Sequence, residues 1–310
     1  VSARARLVQR VLPVAVSVGA LAALFASFDL GKIVDALDAR VAVVLLPALG
    51  AYGAATLLLE AVSIRRLVQA APARFGLGTA ARIKCASYLL GIIHMTLGGA
   101  GLAVLLRQRT GLPLAECAGV VLLIMLMDLV VTLSAALIGA SFSETAAEAL
   151  PLGVIALVAA GVVFAVGILR APGSLGPLER IRSLAVFEGL RRTPLARLTQ
   201  VFALRCVFVG CFIAIGGAGF AAFDIHPGIP RIVVGMTVLA VVAAFPIAVS
   251  GLGTGQAAAV YLFRDLAAPE TIIAMSLVLS VGLISLRLAM GLVFAREFAR
   301  QALVQAQEAA

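Results

Sequence analysis

Long apolar runs separated by short, arginine-bearing polar stretches dominate the chain. Val11–Phe28, Val41–Ile64, Cys117–Ala140, Leu150–Leu169, Val201–Phe223 and Thr271–Phe294 each approach the ~20 apolar residues that carry an α-helix across hydrocarbon. They predict six crossing helices. Two further apolar stretches, Ala80–Leu106 and Ile232–Phe263, are broken at mid-depth. The first carries Gly91, His94, Gly98, Gly99 and Gly101, the second Pro246, Ser250, Gly251, Gly253, Thr254, Gly255 and Gln256. An unpaired backbone group in hydrocarbon costs several kcal/mol, so an uninterrupted spanning helix has no use for such breaks. Each stretch is long enough for two half-helices of roughly 15 Å at 1.5 Å per residue. Broken segments in corresponding positions of two halves point to a transporter's binding site.

The arginines decide how these segments run. If both crossed, with the N-terminus inside, Arg170, Arg180, Arg182, Arg191, Arg192 and Arg197 would share one external loop, against the preference for cytoplasmic basic residues. If each turns at its glycines and leaves on the side it entered, those arginines become cytoplasmic. So do Arg65, Arg66, Arg74, Arg82, Lys84, Arg107, Arg109, Arg296 and Arg300, and the loop holding Glu144 and Glu148 lies outside. The expected fold is all-α: a polytopic membrane protein with six crossing helices and two opposed re-entrant helical hairpins in an inverted-repeat arrangement. The hairpins share local pattern, since His94 precedes Gly99 and Gly101 as Pro246 precedes Gly251 and Gly253. The alternative is a pair of irregular helices with glycines at close helix contacts. Residues 1–310 read as a single transmembrane domain, with a first half of about 1–140 and a second of about 150–300. A basic cytoplasmic loop with short surface helices spans 170–198, Gly31–Arg40 reads as a short external amphipathic segment, and both termini are cytoplasmic.

Composition agrees: the chain is 63% hydrophobic and 13% charged, with a mean hydropathy of +1.14. This places it in the inner membrane as a multi-pass protein. Arg4, Arg6 and Arg10 before the first run resemble a secretory signal, but no cleavage site follows and the run reads as a retained helix. The net charge of +9 fits cytoplasmic loops beside anionic lipid. Nucleic acid is not expected, because no basic face interleaves with aromatics. Cys85, Cys117, Cys206 and Cys211 have no metal-type spacing and read as packing residues. His94 and His226 fall on opposite faces, so no metal is expected; Gly251, Gly253 and Gly255 lack the βαβ context of a dinucleotide loop, so neither is a cofactor.

At the broken stretches the chain resembles the flippase-like transmembrane family found at the N-terminus of lysylphosphatidylglycerol synthases and as stand-alone proteins. One matching stretch runs from Gly91 through Gly98 and Gly99 to Leu105, Leu106, Arg107, Arg109 and Gly111. The other is Pro246 followed by Gly251, Gly253 and Gln256. His94 stands where the family has Pro, and Gln256 where it often has Glu, so a charge is missing there. The resemblance implies movement of an amphipathic lipid or lipid-linked headgroup across the bilayer. It does not imply amino-acid transfer, which needs a soluble domain that these residues lack.

Ionisable groups inside spans are functional candidates. Asp128 lies mid-span and Arg287 deep in the last span, either paired with each other or lining a hydrated headgroup cavity. Arg205 and Glu60 lie nearer helix ends, where long side chains snorkel to the interface. His94 either relays a proton, contacts a phosphate or bonds a free carbonyl. Gly98, Gly99, Gly101, Gly251 and Gly253 let the backbone reverse and approach a ligand, and free N–H groups at half-helix N-termini suit an anionic headgroup. Ser250, Thr254 and Gln256 add neutral hydrogen bonds. The expected function is a lipid or lipid-linked headgroup flippase of the inner membrane, not an enzyme. Its partners are membrane lipids with an anionic headgroup, and a homodimer stays open. The rivals are an ion-coupled small-solute transporter, a membrane-embedded lipid-modifying enzyme and a non-transporting scaffold.

Overall fold

The computed structural model describes residues 38–68, 75–93, 95–142, 152–170, 179–244 and 253–308. The run Val11–Phe28, His94, and Pro246, Ser250 and Gly251 lie outside the described residues. Every regular element among the described residues is helical.

Helix α1 (Ala39–Leu67) starts where the Asp38 carboxylate accepts the Val41 N–H at 3.0 Å, an N-cap that satisfies one orphan donor. It is followed by α2 (Leu77–Ile93), α3 (Met95–Thr110) and α4 (Leu114–Ser141), the last starting behind Pro113. Next come α5 (Leu152–Arg170) and the short α6 (Glu179–Arg182), a 3-10 turn (Ala185–Phe187) and α7 (Glu188–Arg192). Helix α8 (Leu195–Ala222) leads to α9 (Ile229–Ala244), α10 (Thr254–Phe263) and α11 (Pro269–Glu308). Among the described residues, four helices are long and apolar enough to cross a membrane: α1, α4, α8 and the Pro269–Phe294 part of α11. Val43, Leu46, Ile138, Phe164 and Val293 point outward, as lipid-facing residues do. The protein is therefore an all-α, polytopic membrane protein.

The expected span at Val201 begins instead at Leu195. Arg197, Thr199 and Gln200 are polar, but a helix need not stop where hydrocarbon does, and Pro194 sets the start.

Helices α2 and α3 form a hairpin. A Cβ on Gly98 would lie 2.8 Å from the Cα of Gly91, and one on Gly101 would meet Leu90. In one continuous helix Gly91 and Gly98 would be roughly 10 Å apart along the axis. Helices α9 and α10 likewise fold back on each other. Gly235 faces the Phe263 ring, and Arg231 at the hairpin base holds Asp265 at 2.6 Å and the Leu262 carbonyl at 3.1 Å.

Long helix, hairpin, long helix thus occurs twice, as α1 to α4 and as α8 to α11. Helices α1 and α8 lie antiparallel, with Arg40 on Asp224 at one end (2.8 Å) and Arg66 on Gln200 at the other (2.5 Å). The first arm of each hairpin packs on the last long helix of the other set. Gly291 of α11 lies on Leu89 of α2, and Gly139 of α4 lies on Val233 and Val234 of α9. Leu67, Phe75, Ala80, Leu106, Leu190 and Leu198 form one core beside the base of the first hairpin. Phe220, Ile225, Phe263 and Ile272 belong to a second core beside the base of the other. The hairpins therefore open toward opposite ends of the molecule. Arg65, Arg66, Arg107, Arg109, Arg170 and Arg192 gather at the first end.

Candidate functional site

Four charged side chains, each from a different helix, meet in the interior: Glu60 (α1), Lys84 (α2), Asp128 (α4) and Arg205 (α8). Lys84 Nζ is 3.0 Å from Glu60 Oε1. Arg205 Nη1 lies 3.4 Å from the same oxygen and 3.6 Å from Asp128 Oδ2. Its Nη2 donates to Ser63 Oγ at 3.0 Å, and that hydroxyl donates to the Leu59 carbonyl at 2.7 Å. Ser63 and Glu60 are one helical turn apart, so both face Arg205. The Phe208 ring lies 4.6 Å from the guanidinium carbon. Arg205 is fully buried and the Glu60 side chain is 5% exposed, while Asp128 is 30% exposed.

Pairing offsets much of the desolvation cost of these charges, yet hydrogen bonding is incomplete. Glu60 Oε2, Asp128 Oδ1 and Arg205 Nε and Nη1 are buried without a hydrogen-bond partner. Arg205 is shared between two carboxylates and serves neither at hydrogen-bond geometry.

This arrangement corrects two expectations. Asp128 pairs with Arg205 and not with Arg287. Arg205 and Glu60 do not snorkel, because the antiparallel packing of α1 on α8 turns them toward each other in the helix interface. Arg287 is exposed on α11; its guanidinium faces the Tyr52 hydroxyl and lies within electrostatic reach of Tyr88. It forms no ion pair with a described carboxylate.

The neutral candidates divide. Gly98 makes the close backbone approach of the first hairpin, and Gly101 lies under Leu90. Gly99 faces α4 instead, with Val121 Cγ1 3.4 Å from where its Cβ would stand. Gly253 has φ +88, a left-handed conformation that favours glycine, and precedes α10 directly. Its N–H donates to Gln256 Oε1 at 2.6 Å, and Gln256 Nε2 donates to Ser280 at 3.2 Å. Gln256 is thus buried and tied to the turn and to α11. Thr254 opens α10. Lys84, which charge counting sets among the flanking arginines, lies instead in the interior, 3.0 Å from Glu60.

Outside the spans, hydrogen bonds from Arg231 hold the Asp265 carboxyl below the usual carboxylate range. Between α4, α5 and α8 an open apolar groove of about 230 Å³ is lined by Leu126, Val130, Val163, Leu198 and Phe202. Arg170 stands at its rim and donates to the carbonyls of Leu190 and Thr193.

Residues 10–291 match the family described as the lysylphosphatidylglycerol synthase TM region. The chain belongs to this family. No curated protein matches it. The TM-region family is distinct from the catalytic part of the synthase, and membership supports a non-catalytic, transport-type role for lipid headgroups in the inner membrane. In this TM-region protein the charge cluster is buried between helices, and Arg287 is exposed on α11.

Proposed function

We propose that the protein moves lipids with an anionic headgroup across the inner membrane, the headgroup passing Arg287 between the two halves. Arg287 carries the proposal. An arginine well inside a spanning helix, exposed and with no paired carboxylate among the described residues, is costly unless an anion visits it. Tyr52 and Tyr88 beside it offer hydroxyl donors.

Alternating access follows from treating residues of about 1–140 and 150–300 as an inverted repeat. Among these eight helices, exchanging α1 with α8, α2 with α9, α3 with α10 and α4 with α11 turns the set of packed pairs into itself. The antiparallel α1 and α8 put the exchange axis in the membrane plane, as inverted repeats require. The hairpins are then re-entrant, the first from the cytoplasm and the second from outside, alongside six crossing helices and cytoplasmic termini. Their tips, around His94 and Gly98 and around Pro246, Ser250, Gly251, Gly253 and Thr254, meet the headgroup near the midplane. The groove at Val163 and Phe202 is open and apolar, which suits an acyl chain better than a small solute. One chain carries both halves, so the site needs no second copy.

The test is movement of a fluorescent phosphatidylglycerol analogue in vesicles carrying the purified protein, read by its loss to an external quencher. Faster inward and outward exchange than in protein-free vesicles is expected. Equal rates would overturn the proposal.

A further inference from the structure

The charge cluster is not needed to build the fold. Counted from each helix's first residue, Glu60 and Gly216 hold equal positions in α1 and α8, Lys84 and Met236 in α2 and α9, and Arg205 and Leu49 in α8 and α1. In one half the contact between long helix and hairpin arm is Glu60 on Lys84; in the other it is Gly216 on Met236. By the same count Asp128 corresponds to Leu283, which shares an apolar cluster with Leu49, and a Cβ on the adjacent Gly282 would be 2.7 Å from Leu49 Cδ1. The same joints thus close with apolar residues on one side and with four charges on the other. Those charges carry buried atoms without hydrogen-bond partners, a cost that apolar side chains would avoid.

We infer that Asp128 is a proton-binding site that couples lipid movement to a proton gradient, the proton and the anionic headgroup travelling together. The inference rests on the inverted-repeat transporter proposed above. With Asp128 ionised, two cations and two anions balance. When a hydronium ion on one side gives a proton to an Asp128 carboxylate oxygen, one O–H bond breaks in the hydronium and one forms at Asp128, neutral water is left behind, and the cluster carries one uncompensated positive charge. An anionic headgroup nearby supplies the balance. Release of the proton on the other side restores the pair with Arg205 and favours release of the lipid. Arg205 is the cluster's one member from the second half, and its contacts with Glu60 and Asp128 tie that half to the first. Protonation removes the ionic tie to Asp128 and leaves those to Glu60 and Ser63, which biases the equilibrium between the two arrangements of the halves.

Asp128 is suited to this by its partial exposure, the largest among the carboxylates of the cluster. Facing it are Arg205 of α8, Glu60 of α1 and Lys84 of α2. The other helices packed on α4 keep their charges elsewhere. Arg170 of α5 bonds the carbonyls of Leu190 and Thr193, Arg231 of α9 bonds Asp265, Arg192 pairs with Glu188, and Arg107 and Arg109 occupy the last turn of α3.

The full chain in vesicles, with the labelled phosphatidylglycerol and an imposed gradient of one pH unit, tests the coupling. One proton per lipid predicts that the label accumulates in the leaflet facing the alkaline side, approaching about tenfold at steady state. Asp128→Asn should settle at equal leaflet populations. Equal populations in the parent would overturn the coupling while leaving lipid movement intact. If no lipid moves under any condition, the transport proposal fails, and infrared titration then decides the proton site by itself. A protonated-carboxyl band that titrates with pH and vanishes in Asp128→Asn sustains it, and absence of that band overturns it. Should Asp128→Asn not fold, Asp128→Glu must keep the band at a shifted frequency; an unshifted band belongs to another residue and overturns the assignment.

Discussion

Arg205 illustrates what a single residue holds in place. Replacing it by Leu strands Glu60 and Asp128 in the interior, although Lys84 still serves Glu60. Breaking a buried ion pair from one side costs about 3–5 kcal/mol. A large drop in thermal stability in detergent is therefore expected for Arg205→Leu, and the double change Arg205→Leu with Asp128→Leu should recover much of it. A double variant no more stable than the single would show that Asp128 is not the stranded partner. At this scale the sequence displays which residues are charged inside apolar runs, and Asp128, Arg287, Arg205 and Glu60 are all legible so. Who pairs with whom is not, because the choice depends on how α1, α4 and α8 are rotated about their axes. Lys84 is hidden for a related reason: a lysine near the start of an apolar stretch reads as a flank until the hairpin's depth is known.

Among the elements, the hairpins carry the strongest expectations. The Gly98 Cβ position is 2.8 Å from Gly91 backbone, which cannot move aside without opening α2 from α3, whereas Gly99 faces side-chain atoms of Val121 and Met125 at 3.4 and 3.9 Å. Gly98→Ala should therefore cost about 1–3 kcal/mol and Gly99→Ala much less, compared by thermal unfolding. Equal effects would mean that the two arms do not meet at Gly91. At the base of the second hairpin, Arg231 keeps Asp265 ionised to lower pH than usual. A depressed folded pKa contributes stability above the unfolded value near 3.9, and the contribution is lost as pH falls through the folded value. Between about pH 5 and pH 3, amide exchange in residues 254–263, corrected for intrinsic rates, should rise in the parent. Asp265→Asn should show the raised exchange at both, by a small amount, since the pair is largely solvent-exposed. The break in the first apolar stretch was legible in its glycine cluster, but the fold-back was not, since Gly139 and Gly291 lie at helix contacts without any turn. The start of α8 at Leu195 was not, since hydropathy marks where lipid ends rather than where the backbone hydrogen bonds do.

For the whole molecule, the opposed ends are the feature that matters. Ser183 precedes α8 and Gly228 follows it, and both are exposed. In a variant without the native cysteines, Ser183→Cys should label from the cytoplasmic face and Gly228→Cys from the external one. Labelling of both from one side would remove the crossing by α8. The positive-inside count supplies the direction this labelling tests, and the antiparallel packing of α1 on α8 is what hydropathy alone leaves invisible.

Arg287 offers the most direct measurement. Vesicles carrying the protein are given an anionic phosphatidylglycerol analogue and a zwitterionic phosphatidylcholine analogue, and the movement of each is followed in the parent and in Arg287→Gln. Losing one charge-assisted hydrogen bond removes about 1.5–3 kcal/mol, so the anionic lipid should slow by roughly tenfold or more while the zwitterionic lipid changes little. Unchanged movement of the anionic lipid in Arg287→Gln would contradict the passage of its headgroup past this arginine.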